Sequence, residues 1–144
     1  MASFVKFYQF AYDLSEKVHN LNSDTINVGL SNTAPTASSN KVWGDITEIT
    51  AHNGYSAGGA STGASGGTAS GTFTLTGTNV TWTASGGTIG PFEWVILYNT
   101  STSPNTKPLI GYWDYGSALT LNSGDSFTVQ FNGGASSGTM LTVA

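Results

Sequence analysis

The sequence predicts a mainly β chain: an antiparallel β-sandwich, jelly-roll-like, with one N-terminal α-helix packed on the sheet. Three observations carry this reading. From Thr72 onward, short apolar–polar alternations recur between turn signals. Charged residues make up only 8% of the chain, and Gly, Ser and Thr stand in their place. The three-to-four-residue apolar spacing of a helix is found at the N-terminus. The 144 residues suit one domain, 1–144. A chain of that size buries roughly 70% of its unfolded surface, enough for a core without staples.

The helix is expected over residues 3–21, with Phe4, Phe7, Ala11, Leu14, Val18 and Leu21 on one stripe and Ser3 as N-cap. Lys17 and His19 fall near its C-terminal end, where the helix dipole favours cations. Val5, Tyr8 and Tyr12 form a second stripe, so this helix either docks on its own sheet or is shared with a neighbouring subunit.

Thr25 to Asn32 reads as a strand through Ile26, Val28 and Leu30, and 33–41 as a loop with Pro35. Val42 to Ile49 fits either a short helical turn or a strand, and Asn53-Gly54 signals a turn. Residues 56–71 are nearly all Gly, Ala, Ser and Thr and have little to bury, so a long flexible loop is expected there. Strands follow around Phe73, Val80, Phe92–Asn99, Leu109–Tyr115, Phe127–Phe131 and Met140–Val143, with loops at 100–107 and 133–138.

Two of these strands are apolar on both faces. On 92–99, simple alternation puts Phe92, Trp94, Ile96 and Tyr98 on one side and Val95 and Leu97 on the other. On 109–115, it separates Leu109, Trp113 and Tyr115 from Ile110 and Tyr112. A sheet apolar on both faces must be covered on both. The opposing sheet supplies one cover. The helix is expected to supply part of the other, with the remainder an interface.

Composition excludes several functions. The four cations are all lysines, Lys6, Lys17, Lys41 and Lys107, so no basic patch can displace counterions from nucleic acid. The absence of cysteine removes disulfides and thiolate metal sites. No stretch has the 18 or so apolar residues of a membrane helix. Residues 1–21 lack an uninterrupted apolar region, so no signal peptide is expected and the chain is expected to fold in a cytosol. The triplets at Asn79 and Asn99 then match the glycosylation pattern by chance.

Motifs for chemistry are sparse. No nucleophile elbow, HExxH, phosphate loop or EF-hand loop occurs. His19 and His52 read as a helix-end and a turn residue. Glu93 and Asp114 lie on the two strongest strands and form the one carboxylate pair that could serve a hydrolase. Asp45, Glu48 and Asp125 give weak support for a calcium site. No cofactor is expected.

The order of segments carries a resemblance. Glu16-Lys17-Val18-His19-Asn20-Leu21 is followed by Asp24-Thr25-Ile26-Asn27-Val28-Gly29-Leu30 through Pro35, then Ile46-Thr47-Glu48-Ile49 and Asn53-Gly54-Tyr55. Later come Gly90-Pro91-Phe92, Pro108-Leu109-Ile110-Gly111-Tyr112-Trp113-Asp114-Tyr115-Gly116 and Gly124-Asp125-Ser126-Phe127-Thr128-Val129. As a set, over most of the chain outside 56–71, these resemble small virion structural proteins of tailed bacteriophages, some of them head decoration (cement) proteins.

The resemblance brings no catalytic residue. It implies a non-enzymatic protein on the outer capsid surface of a virion. Such a protein would bind the major capsid protein and its own copies, as a homo-oligomer such as a trimer, and stabilise the assembled head. Neither nucleic acid nor membrane is an expected partner. The expected interface residues are Phe4, Tyr8, Tyr12, Val95, Leu97 and Tyr112. The alternative is a tail or fibre component binding host-surface carbohydrate, with Trp43 or Tyr55 stacked on sugar rings.

Overall fold

Wherever hydroxyl and apolar residues alternate in this chain, the backbone is extended. The computed structural model describes residues 2–102, 106–131 and 135–144. The loops expected across Pro104 and across Gly133–Gly134 lie partly outside them. The ten strands are β1 (Phe4–Lys6), β2 (Ile26–Ser31), β3 (Ala60–Ser61), β4 (Ser65–Ala69), β5 (Thr72–Thr78), β6 (Val80–Thr83), β7 (Ile89–Asn99), β8 (Leu109–Leu121), β9 (Ser126–Val129) and β10 (Ser137–Val143). One α-helix, α1 (Tyr8–Ser15), and a 3₁₀ turn at Trp43–Asp45 complete the list.

All strand pairs are antiparallel, and the architecture is sandwich-like, as the alternation predicts. One layer has the order β1-β8-β7-β2-β3. The ladders β10-β5-β4 and β6-β9 make the other. The second layer is effectively three files wide. Along β5 and then β6 the partners descend from Val143 to Ser137 and then from Val129 to Ser126, so β9 and β10 form one interrupted file. Asn79 holds the interruption: its N–H and Nδ2 donate to the carbonyls of Ser136 (2.9 Å) and Ala135 (2.6 Å).

The outward side of these two files is hydroxyl at every rung. Thr74 stands opposite Thr142, Thr76 opposite Thr139, Thr78 opposite Ser137, Thr81 opposite Thr128 and Thr83 opposite Ser126. The inward side carries Leu75, Trp82, Val129 and Met140, which meet Ile26, Val28 and Leu30 of β2 and Val95 and Leu97 of β7 in the main core. Thr62 closes one side of the sandwich. Its N–H and hydroxyl both donate to the Ile26 carbonyl (2.9 Å each), and its own carbonyl accepts from the N–H and hydroxyl of Thr78 (2.7 and 2.9 Å).

Several expectations need correction. The helix is eight residues long, not the span 3–21. Phe4–Lys6 pairs with β8 instead, and Phe7 stays extended (φ −68°, ψ 141°) with its ring fully buried. The helix stops in a Schellman arrangement: Val18 N–H reaches the Asp13 carbonyl (2.9 Å) and Lys17 N–H the Leu14 carbonyl (3.4 Å). The left-handed residue is Lys17 (φ 63°), where a glycine would have announced the stop. The inward helical residues are Phe10 and Asp13, while Ala11 faces out.

Residues 56–71 are not a loop throughout, since β3 and β4 lie within them. Ser70 and Gly71 (φ 49° and 80°) have the paired positive φ of a tight type I′ hairpin turn. Gly66 is needed for its missing side chain: a Cβ there would stand 2.5 Å from the Phe73 ring.

The two central strands are covered on both faces, but not as simple alternation divides them. Leu97 pairs with Gly111 and Tyr98 with Leu109, which leaves Ile110 as an extra residue and flips the parity of β8. Leu109 and Tyr112 therefore share the outer face with Trp94, Ile96 and Tyr98, while Ile110 and Trp113 turn to the main core. A second shift between Phe92 and Trp94 sends Phe92 inward with Val95 and Leu97.

The outer face is covered by Phe7 and by the Trp43 turn, with Ile46 against it, and none of these lies in α1. Trp43 stacks flat on Tyr98 (4.2 Å, 13°), and Gly29 lies under its ring, where a Cβ would come within 2.3 Å. We predict that Trp43→Ala strips this cover and costs about 3–5 kcal/mol in urea unfolding. A loss under about 1 kcal/mol, the size of an ordinary surface change, would show that the turn is not the cover.

Candidate interaction face

The structure divides the six expected interface residues. Val95 (5% exposed) and Leu97 (0%) lie in the core, and of the two only Val95 lines a surface groove, beside the N-terminal arm. Tyr112 is half-buried against Phe7 (ring centroids 5.1 Å). Phe4 is half-buried, with its ring beside Trp113 (5.1 Å) and over Gly111. Tyr8 (68% exposed) and Tyr12 (61%) stand one helical turn apart on the outside of α1. Val5 and Tyr115 are also large, apolar and exposed. Val5, Tyr8 and Tyr12 thus place in the N-terminal arm three of the five large exposed apolar side chains among the described residues, the others being Tyr115 on β8 and Val143 on β10.

Beside the arm is a groove of about 600 Å³ between the β1–β8 edge and the β9–β10 file. Its walls include Phe4, Val95, Trp113, Tyr115, Phe127 and Phe131, and among the described residues no charged side chain lines it. The rings run in sequence: Phe4 to Trp113, Trp113 to Phe131 (5.9 Å), Tyr115 to Phe127 (5.7 Å) and Phe127 to Phe92 (4.9 Å). Except for Phe4 and Val95, the expected interface did not include the residues that line this groove. Their signal is the Ser126–Phe131 alternation, whose inward residues exceed what the narrow second layer covers.

The other candidate residues are engaged elsewhere. Trp43 and Tyr55, the expected sugar stackers, are both buried (9% and 2% exposed). The Tyr55 hydroxyl donates to Glu48 (2.8 Å) and accepts from Leu30 N–H (3.0 Å). Its pKa is driven far up, first by burial and further by Glu48, against the Leu30 hydrogen bond. Glu48 also accepts from Gly58 N–H, Asp45 from Lys41 and Val42 N–H, and Asp125 from Asn122 N–H. Among the described residues no three metal-ligating side chains gather, and these three carboxylates cap separate turns.

Glu93 and Asp114 lie near one another at the irregular part of the β7–β8 ladder, where Asp114 pairs with Trp94. Desolvation raises the Glu93 pKa, and the hydrogen bond to Asp114 and its charge raise it further.

His19 is buried (7% exposed) at the corner where the helix exit meets β7. Asn99 Oδ1 accepts from Ser101 N–H, so its amide NH₂ faces Asp24 (2.6 Å) and His19 Nδ1 (3.0 Å). That leaves the proton on Nε2, which is buried without a partner. Burial lowers the His19 pKa, against the charges of Asp13 and Asp24. His52 is exposed on its turn beside the Asn53 amide (2.7 Å).

The comparisons with protein-family models, curated proteins and solved structures found no match to this chain.

Two pH effects follow. A His whose folded pKa lies below its unfolded value contributes stability present above about pH 6.5 and lost as pH falls below it. Melting temperature should drop from pH 7 toward pH 5, and His19→Gln should flatten that drop; parallel curves would remove His19 as its cause. For Glu93 the sign is reversed. Its raised pKa favours the fold below about pH 4.5, and that contribution is lost as pH rises through the raised value. Glu93→Gln should therefore melt higher than wild type at pH 7 and equally at pH 4. A lower melting point at pH 7 would mean that the pair does not repel.

Proposed function

We propose that this chain is a non-enzymatic structural protein of a tailed-phage particle. It decorates the outer capsid surface and binds the major capsid protein through its N-terminal arm. The observation that carries the reading is the pair Tyr8 and Tyr12, largely exposed on the only α-helix among the described residues of a chain with few charges. Tyrosine suits such a role. Its ring contributes apolar contact area with only two torsions to fix, and its hydroxyl tolerates water until the partner arrives. The segment order that resembles phage virion proteins supports the setting, and self-association of the arm surfaces fits repeated copies on a symmetric shell.

The mechanism is linkage. A protein that binds the assembled shell and not its loose subunits stabilises the shell by RT ln(1 + [L]/Kd), about 2.7 kcal/mol at a hundredfold excess over Kd. Particles lacking the protein should release DNA at lower temperature, and adding it back should restore the wild-type release temperature. Tyr8→Ala with Tyr12→Ala should weaken shell binding about tenfold or more while leaving the melting point of the free protein nearly unchanged. Unchanged heat release by particles without the protein, or a handful of copies per particle, would overturn decoration.

A further inference from the structure

The two layers differ in width. The first is five strands across and the second three files across. On the β3–β4 side the chain itself passes between layers, and Thr62 ties them. On the opposite side the β8 and β1 strands overhang. α1 fills part of this side, with Phe10 and Leu14 against the main core, and where Phe4 and Trp113 turn their rings, the described residues leave the groove. At roughly 4.8 Å per strand, a deficit of two is about 10 Å, room for at least one further strand beside β9.

The free edge of β9 can receive one. Ala84 N–H bonds the Asp125 carbonyl (2.9 Å). Stepping by two along the antiparallel ladder, Phe127 and Val129 direct their backbone groups to β6, and Ser126 and Thr128 direct theirs outward. Ser126–Phe131 carries neither charge nor proline, the usual guards of an edge. Lys6 guards β1 across the groove.

We propose that the β9 edge and the aromatic groove together form a strand-addition site. Its occupant is an extended, uncharged segment of another protein with apolar side chains at alternate positions. Backbone pairing to Ser126 and Thr128 would give affinity, and every second side chain would enter the groove between Trp113 and Phe127. The described lining carries no charge, so an acidic or basic segment would be desolvated there without compensation and an uncharged one fits better. An arm fits better than a second copy of this chain joined edge to edge, whose own wide layer would meet the β8–β1 overhang. This site is separate from Tyr8 and Tyr12 and does not depend on the capsid reading.

The test uses the full chain and a capped, uncharged peptide of alternating threonine and valine, about eight residues long. Amide exchange is followed by NMR. At peptide ten times its Kd, exchange at Ser126 and Thr128 should slow about tenfold, while amides already paired inside the sheets change little. Thr128→Pro removes the outward N–H, at a place where an edge strand tolerates proline, together with the exposed hydroxyl contact to Thr81, and should abolish the protection with the fold retained. Should that variant unfold, Phe131→Glu, which puts a charge in the groove, should abolish binding in its place. No slowing at millimolar peptide would overturn the proposal, as would protection that survives both substitutions. A dimer of the free protein that Thr128→Pro dissolves would assign the edge to a second copy and overturn it too.

Discussion

The fold depends on covering β7 twice. Its residues alternate between two cores, Val95 and Leu97 into the space between the layers and Ile96 and Tyr98 away from it. A strand of this kind is stable only if both sides are kept from water. The second layer covers the inner side over three files. The outer side is closed by Phe7 and by the Trp43 ring lying flat on Tyr98, which is possible because Gly29 leaves the ring its place. The remaining elements are arranged around these two covers. β1 sits where it delivers Phe7, and the 41–46 segment sits where it delivers Trp43, tied by backbone bonds from Trp43 N–H to Lys107 and from Leu109 N–H to Lys41.

Much of this is legible in the residues. The strands around Ile26, Phe73, Val80, Phe92 and Phe127 follow from alternation, and the double apolar character of 92–99 and 109–115 shows that both faces need covers. The parity of individual residues is not legible, because one bulge at Ile110 moves Tyr112 to the other side and takes it from the company of Val95 and Leu97. The helix end was hidden for a local reason: the left-handed residue that stops it is Lys17. The β4 strand was hidden because its stability comes from backbone pairing and from the Phe73 ring lying over Gly66, not from side chains of its own.

The interaction face was legible only in part. Tyr8 and Tyr12 are exposed on the helix as a second apolar stripe suggests, since α1 turns Phe10 and Asp13 inward. The cover expected from a neighbouring subunit over the outer face of the central strands is supplied by the chain's own Phe7 and Trp43. Ile96, Tyr98 and Leu109 are fully or nearly fully hidden by the chain itself, and the surplus is displaced to the groove edge, where Trp113, Tyr115 and Phe127 meet. Which aromatic residues stay open is decided by the unequal widths of the two layers, and width is a property of topology that no single segment records.

The rungs of Thr and Ser on the outside of the second layer have a colloidal consequence. With 4 cations and 8 acidic side chains in the whole chain, little of the hydration of this protein comes from ions. On that flank it comes from hydroxyls, some already bonded to one another, such as Thr81 to Thr128 (2.8 Å) and Thr83 to Ser126 (2.7 Å). Salt screens charges and leaves hydroxyl hydration almost untouched. That flank thus remains wetted in the same way in dilute buffer, in brine and across the pH range in which carboxylates titrate, a property that suits a surface meeting many different media.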